Sequence, residues 1–140
     1  MVIADSGFWF ALLWHKDKHH GRAVDLHREL DEDFVTTWPV LTEVTHLFLS
    51  RSNGQLAMRI VEAVARGEIL VAAQDGGTSA RMAQLMREYH DLPMDLADAS
   101  LVALAEELGS GRILSTDRRD FRAYRWKNRK PFQNLMFPDD

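Results

Sequence analysis

The chain has no cysteine. That removes disulfide frameworks, thiolate metal sites and thiol nucleophiles together, and it accords with a reducing cytoplasm, the expected location. No stretch approaches the ~18 consecutive apolar residues of a membrane span. The opening "MVIADSG" has neither a basic start nor a long apolar core, so no secretory leader is expected. Internal repeats, linkers and low-complexity segments are also missing. What remains is an ordinary globular balance, 46% hydrophobic and 27% charged over 140 residues, which fits one domain, expected over 1–137, with a frayed tail at 138–140.

Excess positive charge is lacking as well. The net charge is −4, which by itself does not suggest a nucleic-acid partner. The distribution is more informative. Residues 118–140 hold seven cations against three acids, +4, whereas residues 1–117 carry −8. An acidic body therefore ends in a basic stretch containing Arg118, Arg119, Arg122, Arg125, Lys127, Arg129 and Lys130.

Periodicity gives the elements. "MVIA" reads as a buried strand and "GFWFALLW" as a short buried helix. "DKHHGRAVDLHRELD" reads as a helix capped by Asp17, and "FVTT" as a strand. "WPVLTEVTHLFLSRSNG" starts a helix at Pro39 and ends it near Gly54, and "QLAMRIVEAVARG" is a helix closed by Gly67. "EILVAA" is a strand, and "GTSARMAQLMREYH" is a helix with Met82, Leu85 and Met86 on one side. "DLADASLVALAEELG" is a helix from the Asp95 cap to Gly109. "GRILSTD" is a strand, "RRDF" a turn and "AYRW" a last strand. Strands alternating with helices argue for an α/β domain with a mainly parallel central sheet flanked by helices.

Four acids occupy unusual places. Asp98 lies one turn into a helix and shares its face with Leu101, Val102 and Ala105, where a carboxylate is costly unless compensated. Asp5 and Asp117 each follow a strand, and in open α/β sheets ligands bind beyond the carboxyl ends of strands. Glu43 lies mid-helix beside Val40, Val44 and Leu47. Each has a local alternative: turn or N-cap for Asp5 and Asp117, a capping box of Asp95 with Asp98, and a solvated helix face for Glu43. Taken together, gathered carboxylates repel and would hold protons unless a cation joined them. Hard divalent ions such as Mg²⁺, with Mn²⁺ as a substitute, take such oxygen ligands. They acidify water and stabilise charge on a phosphate.

The motifs carrying these acids resemble a known family. "MVIADSG" is similar to the opening strand and Asp of PIN domains, and "WPVLTEVTHLF" to their second helix with its Glu. "PMDLADASLVALAEEL" is similar to their central helix, and "ILSTDRRDF" to their last acidic motif. The pattern is most like that of VapC-type toxins, the ribonuclease halves of bacterial toxin–antitoxin pairs. The resemblance implies a Rossmann-like fold and Mg²⁺-dependent endonucleolytic cleavage of single-stranded or structured RNA, leaving 5′-phosphate and 3′-hydroxyl ends. It also implies a protein antitoxin and a homodimer. Asp5, Glu43, Asp98 and Asp117 are the implied catalytic acids, with Asp5 and Asp98 as direct metal ligands and Glu43 and Asp117 direct or through water. Ser6 and Ser115 are implied as supporting hydroxyls. A non-cleaving RNA- or protein-binding module, or an RNA-processing nuclease without an antitoxin, are the alternatives.

The remaining features weigh less. Asp120, in "DRRDF", is expected to approach the metal site as a supporting acid, with a turn or cap role as its alternative. Arg118, Arg119, Arg125, Lys127 and Arg129 are expected to contact RNA phosphates, the alternative being a solvated edge strand. Trp9, Trp14 and Trp38 read as core, whereas Trp126 among its cations could stack on a base. The apolar residues from Phe8 to Trp14 could be core or a dimer contact. "GSG" at 109–111 ends a helix instead of opening one, so it is no dinucleotide fingerprint. "ADSGF" lacks the second Asp of an aspartyl-phosphate phosphatase.

Overall fold

The computed structural model describes residues 1–139. Five strands form one parallel sheet in the order β3-β2-β1-β4-β7. The strands are β1 (Val2–Ala4), β2 (Phe34–Thr36), β3 (Leu70–Val71), β4 (Arg112–Leu114) and β7 (Gln133–Asn134). β1 and β4 are adjacent and central, in the register Ile3↔Ile113 and Ala4↔Leu114. Their side chains are buried on both faces, as the continuous apolar runs "VIA" and "IL" require of strands covered by helices. Arg112 grips Glu32 with both guanidinium nitrogens, at 2.6 and 2.9 Å, and the N-terminal ammonium reaches the same carboxylate at 3.1 Å. The amino end of the sheet is thereby tied together.

Helices α1 (Ser6–Leu13), α2 (His20–Glu29), α3 (Trp38–Ser50), α4 (Gly54–Ala65), α5 (Gly76–Glu88), α6 (Leu96–Leu108) and α7 (Arg118–Ala123) supply the connections. α6 is the most buried, with Ala97 and every residue from Ala99 to Ala105 inside. Its ends follow the local code. Asp95 accepts from the Asp98 amide at 2.8 Å, and Gly109 closes the helix at φ 66° in the left-handed region that glycine tolerates. Gly67 stops α4 in the same way, at φ 78°.

Several expectations are corrected. "RRDF" is not a turn; it forms α7, whose six residues are too few to display a helical period. "AYRW" yields only β5 (Arg125–Trp126), which pairs antiparallel with β6 (Lys130–Pro131) outside the main sheet. The sheet edge beside β4 is β7, whose two polar residues carry no strand signal. Asp17 does not cap α2; its carboxylate takes the His19 amide at 2.8 Å in the preceding turn. Gly54 opens α4 behind the Asn53 cap instead of closing α3. Phe8, Trp9, Phe10 and Ala11 are core, no more than 9% exposed. Trp38 is not core and stands 55% exposed. Trp126 is 7% exposed, its indole N–H donating to the Pro131 carbonyl, so its faces are not free for a base. Of the expected tail, Pro138 and Asp139 form a turn, and Asp140 lies outside the described residues.

Candidate active site

The carboxyl ends of β1 and β4 set the site. One residue past β1, Asp5 caps α1, accepting from the Ser6 amide at 2.7 Å. Three residues past β4, Asp117 caps α7, accepting from the Asp120 amide at 2.9 Å. Because β1 and β4 are neighbours in register, Ser115 sits level with Asp5 and donates its hydroxyl to Oδ2 at 2.9 Å. The same Ser115 oxygen accepts from the Asp117 amide at 3.0 Å. Ser6 donates to Glu43 Oε1 at 2.5 Å, bringing α3 to the end of β1. Gly7 packs where an added Cβ would strike the Thr116 side chain, so the start of α1 and the β4 loop approach each other closely at this glycine.

The local alternatives are therefore real: Asp5, Asp95 and Asp117 all cap helices. The capping roles nonetheless leave ligand capacity. The Tyr124 and Ser6 hydroxyls engage one oxygen each, Asp98 Oδ2 and Glu43 Oε1, and leave the other oxygen of each carboxylate for a ligand. One carboxylate oxygen from each of Asp98, Asp117 and Asp120 lies within 4.8 Å of the others. An octahedral hard cation holding oxygens at about 2.1 Å spaces them roughly 2.9–4.2 Å apart, so this all-oxygen cluster fits such an ion. Asp120 enters the cluster because it stands three residues after the α7 cap, on the same first turn as Asp117. The Asp-x-x-Asp spacing was visible in the sequence, but only a helix makes it converge.

The electrostatics agree with the geometry. Burial, with the charges of Glu43 and Asp117 beside it, raises the Asp5 carboxyl to about 6 despite the bonds from Ser6 and Ser115. Burial and then the Asp5 charge raise Asp98 to about 8. Burial also raises Asp117, with Asp120 contributing. These are acids held too close and too dry to be ionised together without a cation.

Tyr124 is a member of the site that sequence reasoning missed. It is fully buried, packed edge-on against Tyr89 and Phe121, and donates its hydroxyl to Asp98 Oδ2 at 2.7 Å. Its distance from Asp98 in sequence and its aromatic surroundings made it look like plain core. By fixing one oxygen of Asp98 it orients the other, the way a partner behind a metal ligand does. Tyr124→Phe is expected to keep the fold and to weaken Mn²⁺ binding about tenfold, read by titrating the paramagnetic signal of free Mn²⁺. An unchanged Mn²⁺ affinity would make Tyr124 packing only.

The basic stretch is divided. Arg118 and Arg119 open α7 directly after Asp117, and Arg119 bonds Asp120 at 3.2 Å. Arg125 folds back onto the carbonyls of Arg122, Ala123 and Tyr124, ending α7. Lys127 lies in the hairpin turn, where its amide donates to Glu106 at 2.6 Å, and Arg129 is exposed just beyond. Glu106 is eight residues along α6 from Asp98, about 12 Å of helix. Arg119 thus borders the acids, whereas the Arg118 guanidinium lies over the Phe137 ring, 4.5 Å from its centroid, and Lys127 and Arg129 stand farther off.

The PIN domain family model matches residues 2–127. Among solved structures, the crystal structure of Mycobacterium tuberculosis VapC20, described as a sarcin–ricin-loop-cleaving toxin, superposes with a TM-score of 0.82. It shares 20% sequence identity, over 94% of this chain and 100% of that one. At that identity the likeness concerns the fold.

Proposed function

Because this chain belongs to the PIN-domain family, we propose that it is a divalent-metal-dependent endoribonuclease of the VapC toxin type. The observation that carries the reading is the convergence of Asp98, Asp117 and Asp120 beside buried Asp5 and Ser6-bound Glu43. Asp98, Asp117 and Asp120 would hold Mg²⁺ or Mn²⁺, with Asp5 and Glu43 completing the set directly or through water. When bound, the cation supplies charge neutralisation at the scissile phosphate and a more acidic water. Glu43, fixed at Oε1 by Ser6, keeps Oε2 as acceptor for a proton of the attacking water. Ser115 holds Asp5 and the Asp117 loop in one arrangement, and Tyr124 holds Asp98. Arg119, beside Asp120, would meet a phosphate flanking the cut, with Arg118 next to it in sequence, and would offset the repulsion between an acidic site and a polyanion. Lys127 and Arg129 would serve a longer or structured RNA.

An inhibitory antitoxin, a homodimer and a cytoplasmic location complete the reading. A short neighbouring reading frame encoding a small DNA-binding protein would support the antitoxin; its absence would favour an RNA-processing nuclease. The direct test is an RNA panel, including a sarcin–ricin-loop hairpin, incubated with Mg²⁺ or Mn²⁺ with and without chelator. Cleavage to 5′-phosphate ends is expected, abolished by chelator and by Asp5→Asn. Persistent cleavage in Asp5→Asn, or none on any RNA with metal, would overturn the reading in favour of a contaminant or a binding module.

A further inference from the structure

We propose that the groove between the first turns of α3 and α6 is a nucleobase subsite, in which Trp38 stacks on an unpaired base beside the cleaved phosphate; this rests on the ribonuclease reading above. Trp38 is 55% exposed, whereas Trp9 and Trp126 are 2% and 7% exposed. The sheet and helices already have a closed aromatic core, so this indole is not a leftover of packing. It stands at the first position of α3, with Pro39 after it restricting the backbone. Across the groove stands Leu96, the first residue of α6, 50% exposed. The cavity between them is about 610 Å³, within the range of small-ligand sites.

Three observations favour a nucleotide over other occupants. The groove wall includes Glu43, which accepts from Ser6 beside Asp5, so the groove adjoins the candidate acids on one side. Thr42 and His46 follow Trp38 at four and eight residues, on the same side of α3, and also line the groove. His46 gives the indole wall a hydrogen-bonding edge, as base recognition needs, and the Thr42 hydroxyl, which donates to the Trp38 carbonyl at 2.9 Å, adds an acceptor. Finally, the cap position of α3 does not cap it: the Thr37 hydroxyl is turned to Ser100 at 2.7 Å. The first turn of α3, whose Trp38 and Pro39 line the groove, therefore carries no capping side-chain oxygen that would repel a phosphate. An apolar protein partner would have to desolvate the Glu43 and Asp95 carboxylates that line the groove.

The test compares Asp5→Asn, which is expected to bind without cutting, with Asp5→Asn/Trp38→Ala and Asp5→Asn/Trp38→Phe in Mg²⁺. The probes are a fluorescein-labelled single-stranded oligoribonucleotide and the same chain carrying abasic spacers. Trp38→Ala is expected to lose roughly tenfold or more in affinity for the natural oligonucleotide, the scale of one lost base stack. Trp38→Phe should keep most of it, and the abasic probe should not distinguish the three proteins. Melting temperatures should match, since the side chain is exposed. Equal affinities for the natural probe, or an equal loss on the abasic one, would overturn the subsite. So would a change of solution mass in Trp38→Ala, which would assign the face to a second copy of the chain. If the Asp5→Asn protein binds no RNA and the parent cuts none, the ribonuclease reading itself falls; failure of discrimination in a protein that binds and cuts falls on Trp38 alone.

Discussion

Asp98→Asn is expected to leave no measurable cleavage in Mg²⁺ and yet to melt above the parent in chelator at pH 8. Both effects come from one charge. Asp98 is raised from 3.8 to about 8 by burial and by the Asp5 carboxylate. The folded chain therefore binds this proton more tightly than the unfolded chain does. Between pH ~4 and ~8 folding takes up protons, so stability without metal falls as pH rises through that window. The penalty is absent below about pH 4 and complete above about pH 8, and is of the order of a few kcal/mol. Asp5 adds to it between 3.8 and about 6. Asparagine removes the Asp98 share while still accepting the Tyr124 hydroxyl, so the gap between variant and parent should widen from acid to alkali. A ligand that binds only the folded state stabilises it by about 2.7 kcal/mol at a hundred times its dissociation constant. Saturating Mg²⁺ should therefore raise the melting temperature of the parent and leave that of the variant nearly unmoved. Melting curves at pH 4.5 and 8, with chelator and with Mg²⁺, check this alongside turnover. Full activity after Mg²⁺ is restored, or a gap that does not change with pH, would remove Asp98 from the ligand set.

Glu43→Gln is expected to reduce turnover by about a hundredfold or more, the contribution of a positioned proton acceptor. Glutamine keeps the length, the helix propensity and an oxygen for Ser6, but loses the charge and the basic oxygen. Glu62, exposed on α4 with its carboxylate 3.9 Å from Arg66, supplies the control: Glu62→Gln should change stability by less than about 0.5 kcal/mol and leave the rate alone. A Mn²⁺ titration separates two roles. Recovery at high Mn²⁺ would mean that Glu43 chiefly helps hold the ion, and no recovery that it chiefly holds the water. Equal, near-normal rates for both variants would return Glu43 to an ordinary helix face.

Much of the site was legible because local chemistry marks it. Pro39 in the first turn of α3 and the Asp95–Gly109 bracket around α6 placed Glu43 and Asp98 on the correct helices. Strand ends marked Asp5 and Asp117. The misses have a common cause. α7 is too short for a period, and β7 has two polar residues. Trp38 looked like core because a sequence carries apolarity but not the neighbours that would cover it.

Composition, periodicity and capping, which act within about four residues, determined by themselves that this is an α/β chain with acids after two strands and in two helices. Whether those acids meet was beyond their reach. That was decided by the strand order that sets β1 beside β4, by the register pairing Ala4 with Leu114, and by the Thr37–Ser100 contact between the start of α3 and α6. Parallel strands pair only through long crossovers, so their neighbours lie far apart in sequence. Asp5 and Ser115 are 110 residues apart along the chain and 2.9 Å apart in the fold. A capping signal determines where a carboxylate sits on its own helix; only packing determines that Asp98, Asp117 and Asp120 gather within reach of a single cation.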